Sequence, residues 1–251
     1  MIRETITSRK NPLLQHVRKL LSSRSYREKT GEYVADGVKL LAEAVKWIPQ
    51  ELRTVLVSPG VEVENLPEHV RLVEIPRDVM ASVSPMESPQ GALFVCALPE
   101  KKPLQVEQQC LILDGIQDPG NLGTILRTAD AMEIPVVLMP GCADAYSHKV
   151  VRATMGAIFR TKPQWSTQED AVVYCKARQI PLYVTALSDR AVDLRQADLQ
   201  KAALIIGSEG QGAGRFFLEQ ADQELIIPMN PRCESLNAAV AAAIVLWEMR
   251  R

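Results

Sequence analysis

Apolar residues recur at helical spacing from the first turns of the chain. Leu13, Leu14, Val17, Leu20 and Leu21 fall on one face behind Asn11-Pro12, a cap-and-proline pair that starts helices, with Arg18 and Lys19 on the other side. Val38, Leu41, Ala42 and Val45 repeat the amphipathic pattern. Residues 53–58, 70–75 and 91–98 are short apolar runs of strand type. Residues 1–98 therefore read as a small α/β domain. Residues 99–107 read as a linker, because Pro99-Glu100-Lys101-Lys102-Pro103 brackets charges with prolines and has nothing apolar to bury.

From residue 108 to 251 the texture changes. Continuous apolar strands are expected at 110–113, 136–139, 182–185, 203–206 and 225–227, separated by helices at 122–132, 148–157, 168–179 and 214–221. Strands that are apolar throughout are buried on both faces, which predicts a parallel sheet covered by helices. The chain closes with a helix over 236–250 whose Val240, Ala241, Ile244, Val245, Leu246 and Trp247 leave little room for a solvated face, so it belongs to a core or a dimer interface.

Composition narrows the class. The 251 residues are 47% hydrophobic and 24% charged, ordinary for a globular chain. No apolar run approaches the ~20 residues of a membrane span, and the first residues lack the apolar centre of a secretory signal. A cytoplasmic protein is expected, with no membrane partner. Cys96, Cys110, Cys142, Cys175 and Cys233 are scattered and form no metal or disulfide pattern, and only His16, His69 and His148 are present, so no metal site is expected. The net charge of −1 does not advertise a polyanion partner. The first 30 residues do, because Arg3, Arg9, Lys10, Arg18, Lys19, Arg24, Arg27 and Lys29 face only Glu4 and Glu28. Such a segment either docks on phosphates or is a solvated helix face.

In an open parallel sheet, ligands bind at the loops leaving the carboxyl ends of the strands. The first such loop is Asp114-Gly115-Ile116-Gln117-Asp118-Pro119-Gly120-Asn121, and Asn121 is expected to cap the helix that carries Arg127. Arg127 can grip a phosphate with its planar fork. The second holds Gly207, Gly210, Gly212 and Gly214 around Glu209. It matches neither G-x-G-x-x-G nor G-x-x-x-x-G-K, which removes the usual dinucleotide and P-loop readings. A carboxylate there suits a ligand with positive charge or hydroxyl donors. The third runs from Ile227 through Pro228 and Pro231 to Ser235-Leu236-Asn237, where Ser235 is expected to cap the alanine-rich helix and Asn237 to lie in its first turn.

Together, Asn121…Arg127-Thr128-Ala129, Gly207-Ser208-Glu209-Gly210 and Ser235-Leu236-Asn237…Ala241 resemble the three motifs of the SpoU/TrmH-type 2′-O-methyltransferases of the SPOUT superfamily, over about residues 108–251. Ala238-Ala239 depart from that pattern, where valine and serine are frequent. The N-terminal segment more loosely resembles an L7Ae/L30e-like RNA-binding domain. The resemblance implies an α/β fold, a Rossmann-like parallel sheet with a C-terminal deep trefoil knot, preceded by the smaller α/β domain. It implies S-adenosylmethionine as cofactor, contacted by Gly207, Ile227 and Leu236 and by Thr185 and Ala186. It implies Asn121, Arg127, Glu209, Ser235 and Asn237 as the catalytic set, a homodimer through the C-terminal domain, and RNA contacts from Arg9, Lys10, Arg18, Lys19, Arg24 and Arg27. The reaction implied is methyl transfer to a ribose 2′-hydroxyl, on ribosomal RNA in preference to tRNA. A tRNA enzyme and a non-catalytic RNA-binding member remain the alternatives. Within that set, Asn121 and Asn237 position the ribose, Arg127 and the loop, Ser235 caps and contacts substrate, and Glu209 orients Arg127 or holds the glycine loop. Arg127 either takes the hydroxyl proton or holds the neighbouring phosphate.

Overall fold

The computed structural model describes residues 3–230 and 232–251, so Pro231 of the third loop lies outside the described residues. The chain runs through β1 (Arg3–Thr5), α1 (Pro12–Ser22), α2 (Arg24–Thr30), β2 (Glu32–Asp36), α3 (Val38–Trp47), β3 (Leu52–Val57), β4 (Arg71–Glu74), α4 (Arg77–Val83) and β5 (Ala92–Ala97). It continues with β6 (Cys110–Asp114), α5 (Pro119–Ala131), β7 (Val136–Leu138), α6 (His148–Ala153), α7 (Ala157–Arg160), β8 (Gln164–Trp165), α8 (Gln168–Ala177) and β9 (Leu182–Thr185). The last elements are β10 (Val192–Asp193), β11 (Ala203–Gly207), α9 (Arg215–Gln220), β12 (Gln223–Ile226) and α10 (Ala238–Arg250).

Two compact units result. The first comprises the residues up to Glu100 together with Tyr146–Arg160. Among its described residues a mixed sheet has the order β1-β4-β3-β5-β2, parallel from β1 to β3 and antiparallel from β3 to β2. Asn11 caps α1 as expected, accepting from the Leu13 N–H at 2.9 Å, and Leu14, Val17 and Leu20 enter the core. The domain boundary drawn from sequence, which put all of 108–251 in one domain, differs here. Helices α6 and α7 belong to the first unit because their aromatic flanks are buried in it. Tyr146 packs against Tyr33 with ring centroids 4.8 Å apart, and Phe159 against Phe94 at 6.3 Å, both pairs tilted by 56°. The single helix expected over 148–157 is broken where Met155 and Gly156 adopt φ of 51° and 92°.

One buried carboxylate stands out in this unit. Asp36 ends β2, its Oδ1 has no hydrogen-bond partner among the described residues, and its Oδ2 lies 3.6 Å from the guanidinium of Arg152. Burial pushes its pKa up, and the charges of Arg152 and His148 only partly oppose this.

The second unit comprises Lys101–Ala145 and Thr161–Arg251. Among its described residues all strand pairs are parallel, in the order β10-β12-β9-β11-β6-β7-β8. Strands β6, β7 and β11 are buried along their whole length, the origin of their uninterrupted apolar sequence. Two-residue edge strands β8 and β10 are additions to the expected set. Because β12, β9, β11 and β6 are sheet neighbours that point the same way, the segments 227–237, 186–191, 208–214 and 115–118 leave the sheet at one edge. Among the described residues, no helix is long and apolar enough to cross a membrane. The cysteines are free thiols, three of them buried, and burial raises the Cys175 thiol to about 11.

Candidate active site

The cap assignments differ from expectation at both helices that frame the site. Helix α5 is capped by Asp118, whose Oδ1 accepts from the Asn121 N–H at 2.7 Å, with Pro119 in the first turn. Helix α10 is capped by Asn237, whose Oδ1 accepts from the N–H groups of Ala239 and Val240 at 2.9 and 3.3 Å. Ser235 lies outside the helix, three residues before its start at Ala238. Leu236 lies on the wall of a cavity, and the helix begins only at Ala238.

These shifts free the Asn121 amide and reassign that of Asn237, and the two join three loops into one chain of hydrogen bonds. Asn237 donates from Nδ2 to Asn121 Oδ1 at 3.0 Å, and Asn121 donates from Nδ2 to Glu209 Oε1 at 2.7 Å. The direction is set by chemistry at both ends. A carboxylate only accepts, so Asn121 must turn its NH2 toward Glu209 and leave its carbonyl for Asn237. The backbone N–H groups of α10 only donate, so Asn237 must turn its carbonyl toward them. Glu209 is therefore held by Asn121, and among the described residues it makes no ion pair with Arg127. Of the two roles expected for Glu209, the geometry favours fixing the glycine loop.

That loop closes on itself. Ser208 and Gly212 exchange backbone hydrogen bonds of 3.0 Å in both directions. Gly207, just before it, has no room for a side chain. A Cβ there would sit 1.9 Å from Gly212 C and Ala213 N, both backbone atoms. Asp114 at the end of β6 pins the far side, accepting from the Gly214 N–H at 2.8 Å and from Gln168 Nε2 at 3.0 Å. Asp114 escaped the sequence reading because a buried strand-end carboxylate has no local pattern.

Beside the loop lies a cavity of about 670 Å³. Its wall includes Thr185, Ala186, Gly207, Ile227 and Leu236, all of the expected cofactor contacts, together with Glu209 and Ser235 of the catalytic set. Leu187, Ser188, Arg190 and Glu224 also line it and were not anticipated. The volume is that of a small-molecule site. Apolar walls from Ile206, Leu225 and Ile227 suit a flat base. Glu224 is paired with Arg190, so Glu209 and Glu234 leave an acidic balance that suits a ligand of net positive charge. S-adenosylmethionine has both features.

Asn121, Asn237 and Arg127 are outside the cavity wall. Arg127 is exposed on α5, six residues and thus ~9 Å along the axis from Asn121, turned by roughly 240°. The expected RNA contacts of the first unit divide. Arg27 is a correction: it is buried and its guanidinium donates to the Leu20 carbonyl, where it supports α1 and is closed to phosphate. Arg9 pairs with Asp78 at 2.8 Å and Arg24 with Glu28 at 3.0 Å, both on the surface. Arg18 donates to the Arg9 carbonyl at 2.9 Å and to Ser82 Oγ at 3.2 Å. Lys19 lies over the Tyr26 ring, and Lys10 is exposed. Exposed pairs of this kind are weak and screened by salt. No cluster of three or more metal-ligating side chains occurs among the described residues.

Comparison with known proteins agrees with this geometry. The profile of the SpoU rRNA Methylase family matches residues 108–247, and that of the MRM3-like substrate binding domain matches residues 11–93. The 23S rRNA (guanosine(2553)-2′-O)-methyltransferase RlmP of Bacillus subtilis is 35% identical over 98% of each chain. The human mitochondrial rRNA methyltransferase 3 is 30% identical over 95% of this chain and 72% of its own. The crystal structure of an AdoMet-bound rRNA methyltransferase from Sinorhizobium meliloti superimposes with a TM-score of 0.87 at 29% identity, covering 99% of this chain and 97% of that one.

Proposed function

Because the chain belongs to the SpoU rRNA methylase family, we propose that it transfers the methyl group of S-adenosylmethionine to a ribose 2′-hydroxyl of ribosomal RNA. One observation carries the reading. The cofactor cavity and the Asn237–Asn121–Glu209 chain of hydrogen bonds meet at a single loop, 208–213. The cofactor supplies a methyl already activated by the positive sulfur. The protein's task is to hold the ribose in line and to ease loss of the hydroxyl proton, which general-base help speeds by ~10²–10⁴-fold.

In this reading Asn121 and Asn237 hold the loop and the ribose, Glu209 fixes the loop, and Ser235 contacts substrate from the cavity wall. Arg127 serves the phosphate beside the target ribose. An arginine carries a fixed positive charge, so Arg127 eases loss of the hydroxyl proton by its field and leaves the proton to solvent or phosphate. Its place outside the cavity of its own chain favours supply from a second copy. Val240 and Trp247, one α10 face apart by seven residues, are 49% and 61% exposed and favour the same homodimer. The C-terminal trefoil knot belongs to the same reading, supported by α10 packing back on α5 after the chain leaves β12 in the sheet interior. Arg9, Lys10, Arg18, Lys19 and Arg24 provide the phosphate contacts of the first unit, and residues 1–98 with 146–160 act as its RNA-binding part. Five free thiols suit a reducing cytoplasm.

The substrate class is tested by incubating the protein and labelled cofactor with separated, unmodified ribosomal RNA and tRNA. Label in ribosomal RNA alone is expected. Label in tRNA alone would overturn the assignment.

A further inference from the structure

The segment between β9 and β10 has an arrangement that neither the family motifs nor the hydrogen-bond chain of the site explains. Its start is stitched to the sheet: Thr185 Oγ1 donates to the Ile205 carbonyl at 3.2 Å, and the Ala186 N–H to the Leu225 carbonyl at 3.0 Å. It then turns, with the Ala191 N–H donating to the Ser188 carbonyl at 3.1 Å. Between these points the segment reaches across to β12. Ser188 Oγ donates to one carboxylate oxygen of Glu224, and Arg190 Nη2 donates to the other. Glu224 is only 9% exposed. The Arg190 side chain is itself largely exposed, so the anchor rests on the buried carboxylate, which would be left without partners for both oxygens if the segment let go. The residue framed by these anchors is Leu187, which stands 64% exposed on the cavity wall.

We propose that Glu224 is a positioning residue for the cofactor: through Ser188 and Arg190 it holds Leu187 over the cavity as an apolar contact for the adenosyl group of S-adenosylmethionine. The proposal rests on that cofactor occupying this cavity. An apolar side chain held in water beside a ligand site gains by being covered, and holding it in advance removes the ordering cost from the binding step. Glu224 itself need not touch the cofactor. Its effect passes through the segment.

The test is calorimetric binding of S-adenosylmethionine and of S-adenosylhomocysteine to the full chain, without RNA. Leu187→Ala is expected to weaken both ligands about tenfold, the loss that corresponds to some 55 Å² of apolar cover at ~25 cal/mol/Å². Glu224→Ala should produce a similar loss. The double variant should be no more than about twofold worse than either, because Glu224 acts through Leu187. Glu224→Gln keeps an acceptor and should recover at least half of the loss. Losses that multiply in the double variant would overturn the proposal, since Glu224 would then act independently. So would an effect confined to the positively charged ligand, which would mark a direct charge contact. If Glu224→Ala does not fold, Ser188→Ala with Arg190→Ala removes the donors from the solvent side and must give the same coupling to Leu187. Unchanged affinity in that pair refutes the anchor. Failure of the unaltered protein to bind either ligand would instead refute the cofactor reading.

Discussion

Asn237 carries two separable duties, and one substitution keeps the first while removing the second. As helix cap it satisfies two N–H groups of α10, a contribution of ~1 kcal/mol. As donor it fixes the Asn121 carbonyl at 3.0 Å. Asn237→Ala loses both, and for a chain of 251 residues ~1 kcal/mol lowers Tm by about 2–4 °C. Asn237→Asp keeps the accepting oxygen and adds a charge favoured at a helix N-terminus, so its Tm should stay within about 1 °C of the unaltered protein. Yet the carboxylate has no proton for Asn121. To recover a bond Asn121 must rotate its NH2 toward Asp, which turns its carbonyl on Glu209 and releases the glycine loop. Displacement on the scale of 1 Å costs about a hundredfold in turnover. Scanning calorimetry and single-turnover methyl transfer read the two effects separately. Turnover of Asn237→Asp within threefold of the unaltered protein would refute the donor role. Equal Tm for the Ala and Asp variants would refute the cap.

Other substitutions probe the remaining parts. Gly207→Ala puts a methyl group 1.9 Å from backbone atoms of Gly212 and Ala213, so the loop must move, and cofactor affinity should drop tenfold or more, roughly, by titration. Asp36→Asn tests the buried carboxylate. A folded-state pKa raised above the unfolded value makes the group destabilising once pH passes the unfolded value of ~3.9, so the variant's Tm advantage should grow from pH 4 to pH 7. An advantage that shrinks over that range would reverse the sign. Mixing inactive Arg127→Ala with inactive Asn237→Ala protein, after subunit exchange, should restore about a quarter of full activity, because half of the dimers then hold one intact site of two. No recovery would place Arg127 and Asn237 in the same chain's site.

The parallel sheet was legible because its strands are buried on both faces and carry no polar interruption. Edge strands β8 and β10, with two residues each, offer too little periodicity to register. The caps were misplaced for a definite reason. Asp118 and Asn121 are both capping types, as are Ser235 and Asn237, and local chemistry alone does not choose between them. Pro119 was the unused signal, since proline favours the first helical turn and points to Asp118. The resemblance pointed to Gly207, Ile227 and Leu236 in the second and third loops and to Thr185 and Ala186 at the end of β9, and all five line the cavity. Glu224 was missed because a single carboxylate in an apolar strand reads as an edge residue until the segment crossing it is seen. Arg27 misled in the opposite direction: charge in a sequence marks a probable surface, and its burial against Leu20 depends on tertiary packing. Residues 146–160 carry a helical pattern, but periodicity cannot say which core it fills.

The central claim is tested most directly by the atom that receives the methyl group. Unmodified ribosomal RNA is incubated with the protein and methyl-labelled S-adenosylmethionine, digested to nucleosides, and the labelled species is fragmented by mass spectrometry. The account predicts label retained on the ribose fragment as a 2′-O-methyl group, and none with Arg127→Ala. Label on the base fragment would contradict it.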